Sequence, residues 1–495
     1  QHSEVADIDR SLYDFRYGEE GFERLDAGLT PEIVREISAK KDEPEWMLEF
    51  RLKSLEIYKS MSAPDWGPSI AGLDMDNIVT YVKPNTDQKS DWESLPDDVK
   101  NTFDRLGIPQ AERAYLAGVG AQYDSELVYH NMQDTASKMG IVYSGIEEAL
   151  HDPKWEPLIH EKFMTLIPPT DHKFAALHGA VWSGGSFVYV PKDTKLDFPL
   201  QSYFRLNAKG AGQFEHTLII VEDGADLHFI EGCSAPKYNV ANLHAGAVEL
   251  FVGKNAHLRY STIENWSKNM YNLNTKRSTC DEGGSIEWVS GSFGSHVGYL
   301  YPMSILSILS GRKSTCTFTG ITFAGQGQNL DTGCKVVLAA PDTSAAIETK
   351  SISKGGGVST FRSSVVATPK AENSACSVSC QSLMLDDHSR SDTIPAMDIR
   401  CKHVDVGHEA TIGRIGDGQD AYHESSYGHY VIGPDVTING RNGSDIEKLK
   451  DYINMRLSGE NHDGDPENLT ALDIRSENGK FTVTTSGEGT VEKIL

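Results

Sequence analysis

The sequence predicts a mainly β protein built on a β-solenoid, with a helical region ahead of it and a short stretch of different character behind it. Three observations carry that prediction. From about Phe174 the hydrophobic period becomes two, and segments such as Thr217-Leu218-Ile219-Ile220-Val221 and Val248-Glu249-Leu250-Phe251-Val252 read as strands, continuing for more than 200 residues with no convincing helix between them. A faint repeat runs through this part: Val221, Ala225, Leu227 and Phe229 recur as Val252, Ala256, Leu258 and Tyr260, an offset of 31 residues. Its core, small-x-aliphatic-x, returns at Gly284-Ser285-Ile286-Glu287 and Ala410-Thr411-Ile412-Gly413. Stacked coils of this kind bury a continuous apolar interior. A large sandwich or jelly roll is the rival, kept open by the irregular spacing of the repeat.

The third observation is charge. The chain has 495 residues and a net charge of −25. Residues 1–170 carry 33 acidic and 17 basic residues, residues 171–416 carry 23 and 22, and residues 417–495 carry 15 and 7. All seven cysteines lie in the near-neutral middle. We therefore expect an N-terminal, mostly helical domain over 1–170, the β core over 171–416, and a C-terminal region over 417–495. A chain of this length buries a large core without staples. The acidic balance argues against a partner with a phosphate backbone. No apolar run approaches the ~20 residues of a membrane span, and the first 30 residues lack a basic-then-apolar leader pattern, so a cytoplasmic protein is expected.

Each element has a local cause. Thr30-Pro31-Glu32 supplies an N-cap, a first-turn proline and an acid at the positive helix end, after which Ile33, Val34 and Ile37 fall on one face. Pro44 restarts a helix whose apolar positions are Leu48, Leu52 and Leu55. Ser60 to Asp104, rich in Pro, Asp and Trp, reads as irregular, and Pro168-Pro169 marks a boundary. Beyond the strands, Ser444-Asp445-Ile446-Glu447 is a capping box opening a helix with Ile446, Leu449, Ile453 and Leu457 on one face; residues 459–468 read as loop, and Lys480 to Thr485 as a short strand.

The common catalytic motifs are missing. There is no phosphate loop, Gly325-Gln326-Gly327 lacks a third glycine, and His408-Glu409-Ala410-Thr411-Ile412 begins like a zinc-protease helix but has Ile412 at the second histidine position. No Gly-x-Ser-x-Gly elbow is present. What remains is thiols and a His-Glu pair. Seven cysteines without a Cys-x-x-Cys spacing and without a leader argue for reduced thiols rather than a disulfide framework, and any one of them is first read as a small buried hydrophobe. Val378 and Cys380 share a face, so Cys380 points inward, while His408 and Glu409, adjacent in a strand, point to opposite faces. A thiolate, an imidazole and a carboxylate together suit iron.

Long strings then resemble one family. They include Glu43-Pro44-Glu45-Trp46-Met47-Leu48-Glu49-Phe50-Arg51, Leu116-Ala117-Gly118-Val119-Gly120-Ala121-Gln122-Tyr123, Ala180-Val181-Trp182-Ser183-Gly184-Gly185-Ser186-Phe187, Glu231-Gly232-Cys233-Ser234-Ala235-Pro236, Ser389-Arg390-Ser391-Asp392-Thr393 and Gly407-His408-Glu409-Ala410. Over roughly residues 20–416 the chain resembles the SufB/SufD family of iron–sulfur cluster assembly proteins, on its SufB side. The resemblance implies a right-handed parallel β-helix flanked by helical domains, and a non-enzymatic scaffold that builds a transient iron–sulfur cluster. It implies the partners SufC, an ATPase, and SufD, a paralogue, with sulfur delivered by a cysteine desulfurase and its sulfur-transfer protein; a reduced flavin in the complex is the further cofactor. It places sulfur acceptance on Cys233, sulfur passage on Arg205, Asn207, Trp266 and Lys276, and nascent cluster ligation on Cys380 and Glu409, with His408 beside the latter. Glu264 stands where the family often has Gln. A thiolate at Cys233 would be favoured by positive charge from Arg205 or Lys276. After Gly416 the chain departs from the family pattern, in the region that helps bind SufC. Two other functions compete: a SufD-like structural subunit without its own cluster, and a carbohydrate-active enzyme on a β-solenoid, which would need clustered acids in a groove.

Overall fold

The computed structural model describes residue 10, residues 13–18, 21–298 and 305–414, and five short strands between residues 428 and 486. The first helix, Pro31–Lys40, begins as expected: Thr30 Oγ1 accepts from the Ile33 amide at 3.3 Å, and Ile33, Val34 and Ile37 are buried. In the second helix, Glu45–Ser60, the buried face lies one step round from the leucine stripe. It consists of Met47, Arg51, Ser54 and Leu55, with Leu48 and Leu52 only half-buried. Arg51 causes the rotation. Its fully buried guanidinium pairs with Glu43 and donates to the carbonyls of Ala180 (3.2 Å) and Trp182 (2.9 Å). These carbonyls close the helix Lys173–Val181, so a cation sits at that helix's negative end.

That helix differs from the expected onset of strands near Phe174. Phe174 to Val181 are buried on every side, so no amphipathic period exists to reveal a helix. The coil strands that follow it begin at Ser186. Gly179 lets the second helix approach, since a Cβ there would lie 2.6 Å from Ser54 Oγ.

The core is a parallel β-helix of about seven turns. One sheet stacks Leu200–Arg205, Asp226–Ser234, His257–Asn265, Ser285–Ser292, Thr315–Ala324, Ser344–Ser353, Ser374–Met384 and Val404–Arg414, all parallel. The facing sheet runs from Ser186–Val190 through Ala247–Val252 and Asn329–Leu338 to Arg390–Ile399. Parallel pairing between successive coils excludes the sandwich and the jelly roll, which are antiparallel.

The register explains why the repeat is faint. Asp226 faces His257, His257 faces Ser285, Ser285 faces Thr315 and Thr315 faces Ser344, so successive rungs are 31, 28, 30 and 29 residues long. The inward columns are nonetheless continuous: Leu227, Leu258, Ile286, Cys316, Ala345 and Cys376 form one, and Phe229, Tyr260, Trp288, Phe318, Ile347 and Val378 the next. A left-handed turn residue recurs once per rung, at Gly224, Asn255, Gly283, Lys313, Asp342 and Asn373. The Ala410-Thr411-Ile412 match is out of phase: Ala410 faces Cys380, whereas the repeat position in that strand is Val404-Asp405-Val406.

The strands Gly118–Tyr123 and Glu126–Met132 extend the first sheet at its near end, and Val142–Gly145 extends the second. At the far end, among the described residues, no strand stacks beyond Arg390–Ile399 and Val404–Arg414, and Ile394, Met397, Ile399 and Ile412 are exposed. In the C-terminal stretch, Lys480–Ser486 is a strand, as its sequence predicts, paired antiparallel with Gly428–Ile432 and Thr470–Glu477. The capping-box helix from Ser444 and the loop at 459–468 lie outside the described residues.

Candidate functional site

The predicted residues gather in two places. Cys233 lies in the strand Asp226–Ser234, its side chain packed with Phe204, Ala235, Trp266 and Met270. All seven cysteines are free and buried. Two residues before Cys233, on the same strand face, Glu231 anchors a buried polar array. Its carboxylate accepts from Lys276 Nζ (2.6 Å), Thr262 Oγ1 (2.9 Å) and the Tyr260 hydroxyl, and lies 3.9 Å from the Cys233 thiol. Lys276 Nζ is also 3.7 Å from Glu264, whose oxygens accept from Asn272 (2.8 Å) and Asn274 (2.6 Å). Asn272 accepts from His244 Nδ1 at 2.6 Å, and His244 Nε2 meets Glu215. A chain of buried charged and amide groups therefore runs Glu215–His244–Asn272–Glu264–Lys276–Glu231.

The charges set the thiol's state. Burial raises the Cys233 pKa well above the ordinary range, and Glu231, Glu264 and Glu215 add to it, while Lys276 opposes them. Burial also acts against the Glu231 carboxylate, but Lys276 and the bonds from Tyr260 and Thr262 outweigh it and hold the carboxyl below its usual range. The expected activation of Cys233 by a nearby cation is thus not what the geometry provides. The Lys276 charge is compensated by two carboxylates. Arg205, buried, donates instead to the carbonyls of Tyr13 (2.9 Å) and Phe15 (2.5 Å) and to Ser234 Oγ (3.0 Å). Burial and the three carboxylates favour the protonated thiol.

Asn207 follows Arg205. Its amide and that of Ala208 donate to Asp124 Oδ1 (2.7 and 2.8 Å), which fixes the turn out of the strand. Trp266 is fully buried, its ring 4.6 Å from that of His244. Arg205, Asn207, Trp266 and Lys276 thus all lie in the coils around Cys233. Several buried polar atoms of this region, among them Trp266 Nε1, Glu215 Oε2, Asn274 Oδ1 and Arg205 Nε, have no hydrogen-bond partner among the described residues.

The second place is the far coil. Cys380 in Ser374–Met384 and His408 in Val404–Arg414 point to the same side, with Cys380 Sγ 3.7 Å from His408 Nε2. Burial pushes the Cys380 thiol up to about 12 and lowers the His408 pKa. Glu409 faces Ser379 across the ladder and is exposed on the opposite side from His408, as strand alternation requires. Cys380 and His408 are therefore together, and Glu409 is apart from them. Among the described residues no group of three or more His, Cys, Asp or Glu side chains is arranged to hold a metal ion.

The chain is similar to known proteins over most of its length. Residues 204–425 match the family model described as SUF system FeS cluster assembly, SufBD core domain. The iron-sulfur cluster assembly protein SufB of Bacillus subtilis (strain 168) is 46% identical over 418 residues, covering 84% of this chain and 89% of that protein. The chain belongs to the SufBD family of iron–sulfur cluster assembly proteins. A SufBD family protein of Staphylococcus aureus (strain MRSA252) shows the same identity and coverage. SufBD membership ties the chain to iron–sulfur cluster assembly within the SUF system. No helix among the described residues is long and apolar enough to cross a membrane.

Sequence reasoning missed most of the polar array. Glu231 was within reach, since it stands in the same Glu-Gly-Cys string as Cys233 and shares its face at period two. Glu215, His244 and Tyr260 carry no local signal: only the coil register brings them together. Cys401, read as a packing residue, donates to Glu372 at 3.3 Å, and Glu372 also meets His403 (2.7 Å).

Proposed function

We propose that this chain is a scaffold for de novo iron–sulfur cluster assembly that accepts sulfur at Cys233 and builds a labile cluster at the far coil. The carrying observation is the presence of two separate soft-donor stations on one solenoid, Cys233 beside a buried polar array and Cys380 against His408 at the open end. Sulfur acceptance is a thiol exchange. The Cys233 thiolate attacks the outer sulfur of a donor persulfide, the donor leaves as a thiolate, and Cys233 carries the persulfide with no net oxidation. Arg205, Asn207, Trp266 and Lys276 line the passage in this reading. Their polar atoms, with the unpartnered Trp266 Nε1, Glu215 Oε2 and Asn274 Oδ1, suit a small polar sulfur species better than an apolar core would.

Iron is cargo. Cys380 and His408, with Glu409 on the outer side of the same coil, supply soft and hard donors, and mixed ligation of this kind releases a cluster more readily than four thiolates. Sulfane sulfur needs two electrons to become bridging sulfide, and a reduced flavin in the complex is the donor under this proposal. The partners are the SufC ATPase, the SufD paralogue and a desulfurase with its sulfur-transfer protein, in the cytoplasm; the exposed apolar terminal coil supports a paired subunit there.

Anaerobic reconstitution with ferrous iron and sulfide tests the assignment. Visible cluster absorption should disappear in Cys380→Ala and weaken in Glu409→Ala; unchanged spectra in both would sink the ligand assignment. One observation favours a second reading, a SufD-like subunit with no cluster of its own: Cys380 and His408 are only two donors on one face. Absorption that appears only when the paralogue is present, and that survives Cys380→Ala, would favour it.

A further inference from the structure

Both ring nitrogens of buried His244 are engaged. Nδ1 lies 2.6 Å from the Asn272 side-chain oxygen, and Nε2 meets a carboxylate oxygen of Glu215. The last pair is packed closely: a Cβ on Gly246 would fall 2.3 Å from that Glu215 oxygen and 2.9 Å from His244 Nε2. Which end of Asn272 faces the ring decides how many protons the ring carries. An amide can present its oxygen or its nitrogen, and its other neighbour settles the choice. That neighbour is Glu264 Oε2, at 2.8 Å. Glu264 also takes the Asn274 amide (2.6 Å) and lies 3.7 Å from the Lys276 ammonium, so it acts only as an acceptor. Asn272 therefore turns its nitrogen to Glu264 and its oxygen to His244.

An amide oxygen at Nδ1 and a carboxylate at Nε2 each require an N–H. A neutral imidazole has one, so the arrangement is satisfied by the imidazolium. The Trp266 ring, 4.6 Å away between centroids, is a favourable neighbour for a cation. Burial acts against the charged ring, but Glu215 and Glu264 outweigh it and raise the His244 pKa. On the side of the helix Lys173–Val181, His178 bonds to His216 (3.0 Å) and His216 to Glu249 (3.1 Å), with burial holding His178 well down. Arg51, also on that side, is paired with Glu43.

We propose that Glu264 is a positioning residue that turns the Asn272 amide so that His244 is held as an imidazolium, which denies a metal ion the imidazole beside the sulfur acceptor. The second half rests on the reading of Cys233 as that acceptor. Cys233 and Glu264 face each other across the ladder. Around them lie a thiol, three carboxylates and an imidazole, a donor mix that suits iron. Ligation needs a neutral imidazole and carboxylates that are not committed elsewhere. Here the ring has no lone pair to give, and Lys276 occupies Glu231 and Glu264. With Gln at position 264 the Asn272 amide is free to turn and the ring to shed a proton. One negative and one positive charge then leave together, so the array keeps its net charge while gaining a nitrogen ligand.

The test uses the full chain with 15N-labelled histidine, His244 being assigned by the signals lost in His244→Gln. From pH 6 to 8.5 both of its ring nitrogens should keep the shifts of protonated nitrogen. In Glu264→Gln one should move to the unprotonated shift by pH 7.5. Adding Asn272→Asp to that variant should restore the doubly protonated ring, because a carboxylate there only accepts. A neutral ring in the parent, or an unchanged ring in Glu264→Gln, overturns the lock; no rescue by Asn272→Asp overturns the route through the amide. Cobalt(II) titration in a Cys380→Ala background reads the consequence. Glu264→Gln should gain a thiolate-to-cobalt absorption that Cys233→Ser abolishes and that is missing with Glu264 in place. Cobalt on Cys233 with Glu264 in place, or none in Glu264→Gln, overturns the exclusion. Polysulfide loading, read as one added sulfur on the Cys233 peptide, tests the acceptor reading separately. Sulfur spread evenly over the seven thiols overturns that reading, while the proton count on His244 decides the lock.

Discussion

Lys276→Met removes the cation from the centre of the polar array. Lys276 and its partners Glu231 and Glu264 are each 1% exposed, so no solvent replaces the lost charge. Removing one partner of a buried ion pair costs about 3–5 kcal/mol, because the remaining carboxylate is left buried without compensation. Thr262 Oγ1, 3.1 Å from Lys276 Nζ, loses a partner too, which adds about 1 kcal/mol. We therefore expect Lys276→Met to lower unfolding free energy by about 4–6 kcal/mol, read from the guanidinium midpoint and slope. Glu231→Gln in the same chain removes the orphaned charge, while its amide still meets Tyr260 and Thr262. The double variant should recover at least about 2 kcal/mol relative to Lys276→Met alone, a coupling that a double-mutant cycle isolates. A single-variant loss below about 1 kcal/mol, or strictly additive losses, would refute the claim that this array is a compensated buried charge network.

Three other outcomes follow from the same structure. His172 caps the helix Lys173–Val181 by accepting from the Ala175 amide (3.1 Å) while its Nε2 meets Thr275 Oγ1 (2.9 Å), and burial lowers its pKa to about 4. Unfolded, the ring takes a proton near pH 6.5, so its contribution is present above that pH and falls by about 1.4 kcal/mol per unit as pH drops toward 4; His172→Asn keeps a capping oxygen, and its stability loss between pH 7.5 and 5 should be about 2 kcal/mol smaller than the parent's. Gly185→Ala should cost about 3 kcal/mol or more in denaturant unfolding, since Gly185 has φ +106° and a Cβ would lie 2.1 Å from the His216 carbonyl oxygen, whereas Gly407→Ala, with open space around it, should cost less than about 1 kcal/mol. Met397→Asp on the exposed terminal coil should leave unfolding within about 0.5 kcal/mol of the parent yet weaken association with the paired subunit at least tenfold by sedimentation; unchanged association would remove this face from the interface.

How much of this was legible in the chain depends on whether the deciding force is local. The Thr30 cap and the Pro31 start depend on neighbouring residues alone, and both are seen. The period-two strands and the 31-residue offset between Val221 and Val252 gave the solenoid, and the register pairs those two residues directly. The helix Lys173–Val181 was hidden because burial on all sides erases the amphipathic signal. The leucine stripe of Glu45–Ser60 misled by one step because Arg51, a residue that sequence places outside, is held inside by Glu43 and two helix-end carbonyls. At the site, the opposition of His408 and Glu409 followed from strand alternation. The reach of His408 to Cys380 did not, since it depends on a 30-residue rung between Ser374 and Val404 that no local pattern sets.

The solenoid also sorts its thiols. Cys280, Cys316, Cys334 and Cys376 belong to the continuous apolar interior, and burial raises the pKa of each, to about 12 for Cys316 and Cys376. Dry packing of this kind makes the coil stable and the sulfur inert, because nucleophilic attack and metal binding both require loss of the thiol proton. Reactivity must therefore be confined to thiols with a polar partner at hand. Cys380 is one: it is 2% exposed in the same interior and burial pushes it up to about 12 as well, but it touches an imidazole. Cys233 is the other, two residues from a carboxylate that holds a buried lysine. Coils of nearly inert thiols separate the two. A scaffold that received sulfur at one end and joined it to iron at the other would gain from such a separation, because a persulfide reaching iron early would react before the ligands were assembled. That argument makes a definite demand: iron-dependent oxidation should fall on Cys380 and spare Cys233.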